Sequence, residues 1–329
     1  MLAACAFPDP AFSLLMANPM TLSTYLAPCA RAQLDLPNNA RIDAVLRDRV
    51  FLHARVLSIL ARIDELIHLP GRDPAAGMVI AGPVGSGKTV FIRQLTERYR
   101  AVSTEEGGAL PSAVVSVNMS GIRDVSALYR RLLRQLLGEG EGDGAPKDPE
   151  EALTEALRQH GVRVLVVDEA HDVLVHPRKT RMSLLSALIS LMQKQRLPVI
   201  LLTIPAGLSA VQEYAALHER MTYETLPIWR PDAYLADLLT EVERTLPLRL
   251  ASGLARPAVM EAIVDASGGA LDVLIDLIRR ATAMAIVSGA EQITIPLLEQ
   301  ASNDRRGGRW PEAVLAYRSS EPSFAGTAH

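Results

Sequence analysis

The sequence predicts an α/β fold, in which a parallel five-stranded sheet is covered by helices and followed by a smaller helical domain. Three observations predict this: five short apolar, β-branched runs, helical periodicity between these runs, and no convincing strand pattern after position 231. The chain has 329 residues, which is enough for about two domains.

Five runs are the candidate strands. They cover Met78–Ala81, Ala113–Val117, Val162–Val167, Pro198–Ile204 and Tyr223–Ile228. Helical spacing is found before the first run over 40–69, and between the later runs at 89–100, 124–137, 149–160 and 181–196. Because strands that alternate with helices form parallel sheets, we expect helices on both faces of this sheet. The third run is apolar at every position from 164 to 167, which is typical of a central parallel strand.

Composition shifts divide the chain into four predicted parts. Residues 1–39 lack sustained periodicity, 40–230 form the α/β domain with its N-terminal helices, 231–303 form the helical domain, and 304–329 form a flexible tail. The helices of the second domain are predicted at 232–246, 257–267, 270–288 and 294–303.

Charge and cysteine content exclude several classes of protein. The 34 Lys and Arg against 37 Asp and Glu give a net charge of -3, so no overall positive field attracts nucleic acid. Any contact with DNA must therefore come from a local patch or from assembly. The two cysteines, Cys5 and Cys29, argue against a disulfide scaffold, and no apolar stretch is long enough to span a membrane. We expect a reduced, cytoplasmic protein.

A glycine-rich segment follows the first candidate strand and opens a helix. Its residues Gly82, Pro83, Val84, Gly85, Ser86, Gly87, Lys88 and Thr89 fit G-x-x-x-x-G-K-[ST] at every position, and Val90 continues the segment. Glycines let backbone N–H groups turn toward a phosphate, and the helix N-terminus adds positive potential. Lys88 is expected to reach the β- and γ-phosphates, and the Thr89 hydroxyl to ligate Mg²⁺. The motif predicts a P-loop NTPase that binds ATP with Mg²⁺.

Two acids end the third candidate strand, where ligands of open α/β sheets bind. Asp168 is expected to hold Mg²⁺ through water, and Glu169 to polarise the attacking water. With Ala170 and His171 they spell the DEAH of a helicase class, but a tandem helicase core needs far more chain than remains. His171 is interpreted as a local hydrogen-bonding residue.

Two further residues have alternative interpretations that the sequence leaves open. Thr203 ends the fourth candidate strand, where it either senses the γ-phosphate and orients water or is an ordinary strand-end threonine. Arg220 precedes the fifth strand, where it is either an arginine finger donated to a neighbouring subunit or a solvated helix-end residue.

Over residues 40–303 these motifs resemble AAA+ ATPases, with a helical lid after the α/β domain. More narrowly, the stretches 41–70, 219–254 and 268–294 resemble TniB, the TnsC-like ATPase of mercury-resistance-type transposons. The resemblance implies an ATP-dependent regulator of transposition that forms a homo-oligomeric ring or filament on double-stranded DNA. It also implies a DDE transposase and a TniQ-like target-selection protein as partners. By position it makes Thr203 the sensor 1 residue and Arg220 the finger.

The sequence departs from the AAA+ pattern in the predicted lid. Many AAA+ lids carry a sensor 2 arginine early in the helix that follows a glycine-rich turn, but residues 268–272 contain none. The next basic pair, Arg279 and Arg280, lies two helical turns further on. The phosphate loop also lacks the Asn-rich sequence associated with TniB. We therefore expect slow, assembly-dependent hydrolysis.

Four basic residues are candidates for sequence-nonspecific contacts with the DNA backbone. They lie in predicted loops after the second and third strands: Arg123, Arg178, Lys179 and Arg181. Each is equally well explained as part of a solvated charged loop. Other functions also stay open: a helicase loader, a secretion-associated ATPase of the ExeA type, or a nucleotide-gated scaffold with little hydrolysis.

Overall fold

The computed structural model describes residues 25–47, 51, 53–68, 76–99, 113–138, 148–311 and 314–315. The chain forms two compact units, with the divisions after Phe51 and after Ile228. The middle of the chain is an α/β unit, and the two ends of the chain together form a helical unit.

A five-stranded parallel sheet is the centre of the α/β unit. Its strands are β1 (Gly77–Ala81), β2 (Val114–Asn118), β3 (Val164–Asp168), β4 (Val199–Thr203) and β5 (Met221–Thr225). They lie in the order β2-β3-β4-β1-β5, and every neighbouring pair is parallel. The predicted fold class is therefore confirmed. The fifth strand begins two residues earlier than predicted and ends before Leu226.

Helices account for most of the other described residues. They are α1 (Pro28–Gln33), α2 (Asn38–Leu46), α3 (Ala54–His68), α4 (Lys88–Arg98), α5 (Val125–Leu137), α6 (Pro149–Gln159), α7 (Arg178–Gln195), α8 (Leu208–Gln212), α9 (Ala215–His218), α10 (Ala233–Arg244), α11 (Pro257–Ser267), α12 (Leu271–Val287) and α13 (Ile295–Arg306). Asp124, Asp148 and Asp232 cap α5, α6 and α10 by accepting hydrogen bonds from first-turn N–H groups. None of the described helices has the length and apolar character that crossing a bilayer requires.

Each face of the sheet packs against its own set of helices. Successive residues of β1 point to opposite faces, so Met78 and Ile80 join one apolar cluster and Val79 joins the other. The first cluster contains the buried residues of α3 and α4, and the second contains those of α5, α6 and α7. Helices therefore cover both faces of the sheet, as predicted.

The helical unit differs from the predicted domain division. The periodicity over 40–69 corresponds to two helices that belong to different units, α2 in the helical unit and α3 in the α/β unit. Ile42 and Val45 of α2 are buried in the same core as α10–α13. At the other end α13 continues to Arg306, and Val314, which was predicted to lie in the flexible tail, is buried in that core. Cys29 lies in α1 as a free thiol, and Cys5 is outside the described residues.

A buried ion pair joins α2 to the turn before α13. Arg41 is 1% exposed, and its guanidinium donates two hydrogen bonds to the Glu291 carboxylate, at 2.7 and 2.5 Å. The guanidinium also donates to the Pro247 carbonyl at 2.6 Å. Burial raises the pKa of Glu291, but the Arg41 hydrogen bonds and the Arg249 N–H outweigh it, so the pKa lies below 4.5. The ion pair therefore connects α2 to the turn before α13, two segments whose paired residues are 250 positions apart in the sequence.

We predict that Arg41→Met destabilises the helical unit by about 3 kcal/mol, because it leaves a largely buried carboxylate without its main partner. The matched control is Arg249→Met, which removes an exposed guanidinium from the same carboxylate and should cost under about 1 kcal/mol. Urea unfolding at neutral pH measures both. Since the folded-state pKa of Glu291 is lowered, the pair's stabilisation is complete above pH 4.5 and is lost as the pH falls. Equal effects of the two variants would contradict this account.

Candidate nucleotide-binding site

The glycine-rich segment is a tight loop between β1 and α4. The Gly82 N–H donates to the Thr203 carbonyl at 3.0 Å, and the Ser86 N–H donates to the Pro83 carbonyl at 3.2 Å. Gly85 and Gly87 have φ values of 77° and 90°, in the left-handed region that favours glycine. Because Gly87 turns the chain there, α4 begins directly at Lys88 and its first N–H groups face the loop.

Lys88 is held inside the loop. It is 7% exposed, and its Nζ donates to the carbonyls of Gly82 and Pro83 at 2.7 and 2.8 Å. The Ser86 Oγ is buried within the same loop and has no hydrogen-bond partner among the described residues. Thr89 is exposed in the first turn of α4. An ammonium group, an orphaned hydroxyl, an exposed hydroxyl and a helix N-terminus together fit an anionic phosphate chain.

Close packing around position 82 leaves no room for a side chain, which explains why this residue is a glycine. A Cβ at this position would clash with the Ser86 hydroxyl and would lie 2.9 Å from the Leu226 Cβ. The residue that follows β5 therefore packs against the start of the loop, where the Leu226 N–H donates to the Ala81 carbonyl at 2.8 Å.

The acidic pair occupies the end of β3. Asp168 is buried as the last residue of the strand, and its Oδ1 accepts a hydrogen bond from the Glu169 N–H at 2.9 Å. Glu169 has φ 52° and ψ 38°, a left-handed conformation that costs a non-glycine residue about 1–2 kcal/mol. This turn leads the chain into a 3-10 helix over Ala170–Val175.

Thr203 lies between the phosphate-loop strand and the acidic strand. It is paired in register with Ala81, the residue before the loop, and β4 also pairs with β3. It is 1% exposed, and its hydroxyl donates to the Ile204 carbonyl at 3.2 Å. The carboxyl ends of β1, β3 and β4 therefore bring the phosphate loop, the acidic pair and Thr203 to one edge of the sheet.

Arg220 lies at the opposite edge. Its carbonyl accepts from the Gly77 N–H at 2.8 Å, at the amino-terminal end of β1. Strand β1 is five residues long, so about 13 Å of strand separates this point from the phosphate loop. The guanidinium donates to the Ala216 carbonyl at 2.5 Å, and its buried Nε has no hydrogen-bond partner among the described residues. Arg220 is therefore placed away from the phosphate loop of its own chain.

The four basic candidates follow β2 and β3 at the phosphate-loop edge. Arg123 is exposed in the loop between β2 and α5, as predicted. Arg178 and Lys179 are exposed, but they lie in the first turn of α7 rather than in a loop, because the helix begins three residues before its predicted start. Arg181 is less exposed and lies 3.6 Å from Glu213.

Sequence reasoning missed three residues near this edge. Asn118 ends β2 in register with Asp168, and its position at the end of an apolar run is the signal that could have found it. Arg131 donates to the carbonyls of Asn118 and Ser120, both at 2.7 Å, and so supports the loop that contains Arg123. Gly207 lies against Thr203 and His171. The contacts of Arg131 and Gly207 are tertiary and leave no local pattern.

Solved structures with a similar fold include ORC and Cdc6 proteins. The ORC2 protein of Aeropyrum pernix, in ADPNP–ADP complexes, is 20% identical with a TM-score of 0.58, covering 79% of this chain and 71% of that chain. Cdc6p from Pyrobaculum aerophilum is 21% identical with a TM-score of 0.55, covering 80% and 70%. The Aeropyrum pernix ORC1 protein in complex with DNA is 17% identical with a TM-score of 0.51, covering 80% and 69%. The likeness confirms the AAA+ P-loop NTPase fold.

Among curated proteins, none matches the chain. The bacterial TniB protein family matches residues 41–231, which is more than half of the chain and includes the phosphate loop, the acidic pair, Thr203 and Arg220. The chain therefore belongs to the bacterial TniB protein family.

Proposed function

We propose that this protein is an ATP- and Mg²⁺-dependent ATPase that assembles on double-stranded DNA and there recruits or activates a DDE transposase, together with a TniQ-like target-selection protein. The observation that carries the proposal is the convergence of the phosphate loop, Asp168, Glu169 and Thr203 at one sheet edge in a TniB-family chain. Each of these groups has a defined task in phosphoryl transfer.

The residues at the edge fit ATP binding and hydrolysis. Lys88 would exchange the loop carbonyls that it now contacts for phosphate oxygens, and Thr89 and Asp168 would hold Mg²⁺, the latter through water. Bound Mg²⁺ supplies positive charge that neutralises the phosphate oxygens. Glu169 orients and deprotonates the attacking water, and Thr203 positions that water or the γ-phosphate. The ADPNP–ADP complexes of the similar ORC2 structure support ATP as the ligand.

The position of Arg220 supports a homo-oligomer. Because Arg220 lies at the edge opposite to its own phosphate loop, its guanidinium acts on ATP only if a second subunit presents its loop there. A head-to-tail arrangement of this kind places a different surface of each subunit at the interface, which builds rings or filaments.

The basic residues at the phosphate-loop edge support DNA binding. The first turn of α7 contains Arg178 and Lys179 but no acidic residue, and no side chain caps it. Positive charges are unfavourable next to the positive end of a helix dipole, so helix stability does not explain them. An anionic partner does. A few such cations per subunit suffice when many subunits repeat along a duplex, which reconciles DNA binding with a net charge of -3.

Electron microscopy of the protein with non-specific duplex DNA tests the proposal. Samples with ATP, with a non-hydrolysable analogue and without nucleotide should differ, with rings or filaments on DNA only when nucleotide is present. A partner transposase should be retained on DNA only by these assemblies. Monomers that ignore DNA in every nucleotide state would contradict the assembly and DNA parts of the proposal.

We predict that Arg123→Ala and Lys179→Ala each weaken DNA binding, because each removes about one phosphate contact. The slope of log affinity against log salt concentration should fall by about 0.9 per variant in fluorescence anisotropy titrations. Arg181→Ala should have a smaller effect because Arg181 already faces Glu213. The control is Arg158→Ala, an exposed arginine that pairs with Glu155 on α6. Unchanged slopes in both variants would place the DNA contacts elsewhere.

A nucleotide-gated scaffold with little hydrolysis is the second candidate function. It is favoured by the start of α12, where residues 268–272 supply no sensor 2 arginine. Arg280, from the next basic pair, is committed to other contacts: its Nε donates to Asp276 at 2.9 Å and its guanidinium stacks over Trp310 at 4.2 Å. This candidate predicts nucleotide-dependent assembly without turnover.

A further inference from the structure

We infer that His171 is a positioning residue for ATP hydrolysis: its imidazole holds the Glu169 carboxylate in place beside the segment that follows β4. The inference rests on the proposed ATPase function. The His171 Nδ1 lies 3.2 Å from the Glu169 Oε2, and the His171 Nε2 lies 3.7 Å from the Asp172 Oδ1, so each ring nitrogen faces a carboxylate.

The His171 Nδ1 is a buried polar atom that lacks a satisfied hydrogen bond. The contact with Glu169 is close but not aligned, and within the described residues no other group bonds to Nδ1. An unpaired buried nitrogen is unfavourable, and a small rotation of the Glu169 side chain toward it completes the hydrogen bond. The two side chains are therefore coupled, and the coupling restrains the long, rotatable glutamate.

The 3-10 helix that carries His171 lies next to the strand that carries Thr203. The 3-10 helix that contains His171 packs against β4 and against a second 3-10 helix, Pro205–Gly207. A Cβ at position 207 would lie 3.0 Å from the His171 Cβ and would overlap the Thr203 hydroxyl. Gly207 thus leaves room for both side chains. His171 therefore connects the carboxylate that activates water to the strand end that contacts water or the γ-phosphate.

The Glu169 backbone is held by hydrogen bonds to Asp168 and Asp172, but these bonds leave its side chain free to rotate. The residue has a left-handed φ of 52°, follows the last strand residue, and has a partly exposed carboxylate. In the part of the chain that the structure describes, His171 is the polar side chain beside that carboxylate. A general base must be held close to its productive geometry, and misplacement by about 1 Å costs about a hundredfold in rate. His171 supplies that orientation without touching the nucleotide.

Three variants test the inference: His171→Ala, His171→Asn and His171→Gln. The Asn amide places a polar group near the Nδ1 position, beside Glu169, whereas the Gln amide places one near the Nε2 position, beside Asp172. We expect His171→Ala to lower kcat by about tenfold to a hundredfold with KM and ATP affinity unchanged. His171→Asn should recover most of kcat, and His171→Gln should not.

Steady-state ATPase kinetics, binding of a fluorescent ATP analogue and thermal unfolding of each variant are the readouts. The matched control is His176→Ala, which changes the residue at the end of the same 3-10 helix. The inference would be overturned if kcat fell in proportion to the loss of unfolding temperature, with no difference between His171→Asn and His171→Gln. It would also be overturned if kcat were unchanged in all three variants. If the wild-type protein itself shows no turnover above background, the proposed ATPase function fails, and this outcome is distinct from a His171→Ala variant that turns over at the wild-type rate.

Discussion

Glu169→Gln should remove ATP turnover while leaving ATP bound. The amide cannot accept a proton from water, and loss of a general base typically costs about a hundredfold to ten-thousandfold in kcat. The phosphate loop, Lys88 and Asp168 are unchanged in this variant, so nucleotide affinity should stay within about twofold of wild type. If hydrolysis drives disassembly, oligomers of this variant should persist on DNA after ATP is diluted.

Phosphate release measures turnover, and anisotropy of labelled DNA after dilution measures the lifetime of the assemblies. Glu97→Gln is the control, since Glu97 is an exposed residue on α4 whose carboxylate accepts a hydrogen bond from the Gln94 side chain. Wild-type turnover at background level, with equal assembly lifetimes for wild type and Glu169→Gln, would favour the scaffold function. Full turnover in Glu169→Gln would remove Glu169 from the reaction.

Arg220→Ala should retain ATP binding and lose hydrolysis, by about a thousandfold if Arg220 acts as an arginine finger. The structure sharpens this prediction, because Arg220 sits at the end of β1 that is remote from the phosphate loop. The Arg220→Ala substitution in one subunit should therefore reduce hydrolysis of the ATP that is bound to the neighbouring subunit. Arg158→Ala, which changes an exposed arginine on α6, should have no effect.

Mixing equal amounts of two inactive variants tests directly whether Arg220 acts on the ATP of the neighbouring subunit. In a mixture of Glu169→Gln and Arg220→Ala, some sites combine an intact Glu169 from one subunit with an intact Arg220 from its neighbour. With random neighbours in a head-to-tail assembly, about a quarter of sites are complete, so about a quarter of wild-type turnover should return. Turnover no higher than the mean of the two variants alone would show that Arg220 does not act across the interface.

Local patterns were enough to predict most of the fold. The five apolar runs correspond to the five strands of the structure, and the phosphate loop lies between β1 and α4, as its motif requires. Thr203 was predicted to end the fourth strand, as it does, and the register of β4 with β1 places it beside the phosphate-loop strand. These predictions succeeded because burial on both faces of a parallel sheet leaves continuous apolar runs, and because glycine conformations and helix starts depend on neighbouring residues.

Tertiary structure decided what no short pattern carries. The 40–69 region has one continuous helical periodicity in the sequence, but it forms two helices in the structure. The first of them, α2, belongs to the helical unit, where Arg41 bonds to Glu291. Similarly, the edge of the sheet at which Arg220 lies depends on the pairing of β5 with β1.

The sequence by itself determined the nucleotide motif, the acidic pair and the α/β class, since each is a property of contiguous residues. Only the tertiary structure decided which helix joins which core, which edge Arg220 occupies, and that His171 lies between Glu169 and the segment after β4. The physical reason is that burial, ion pairing and strand pairing join residues far apart in the chain, and their energies depend on where the rest of the fold places each partner.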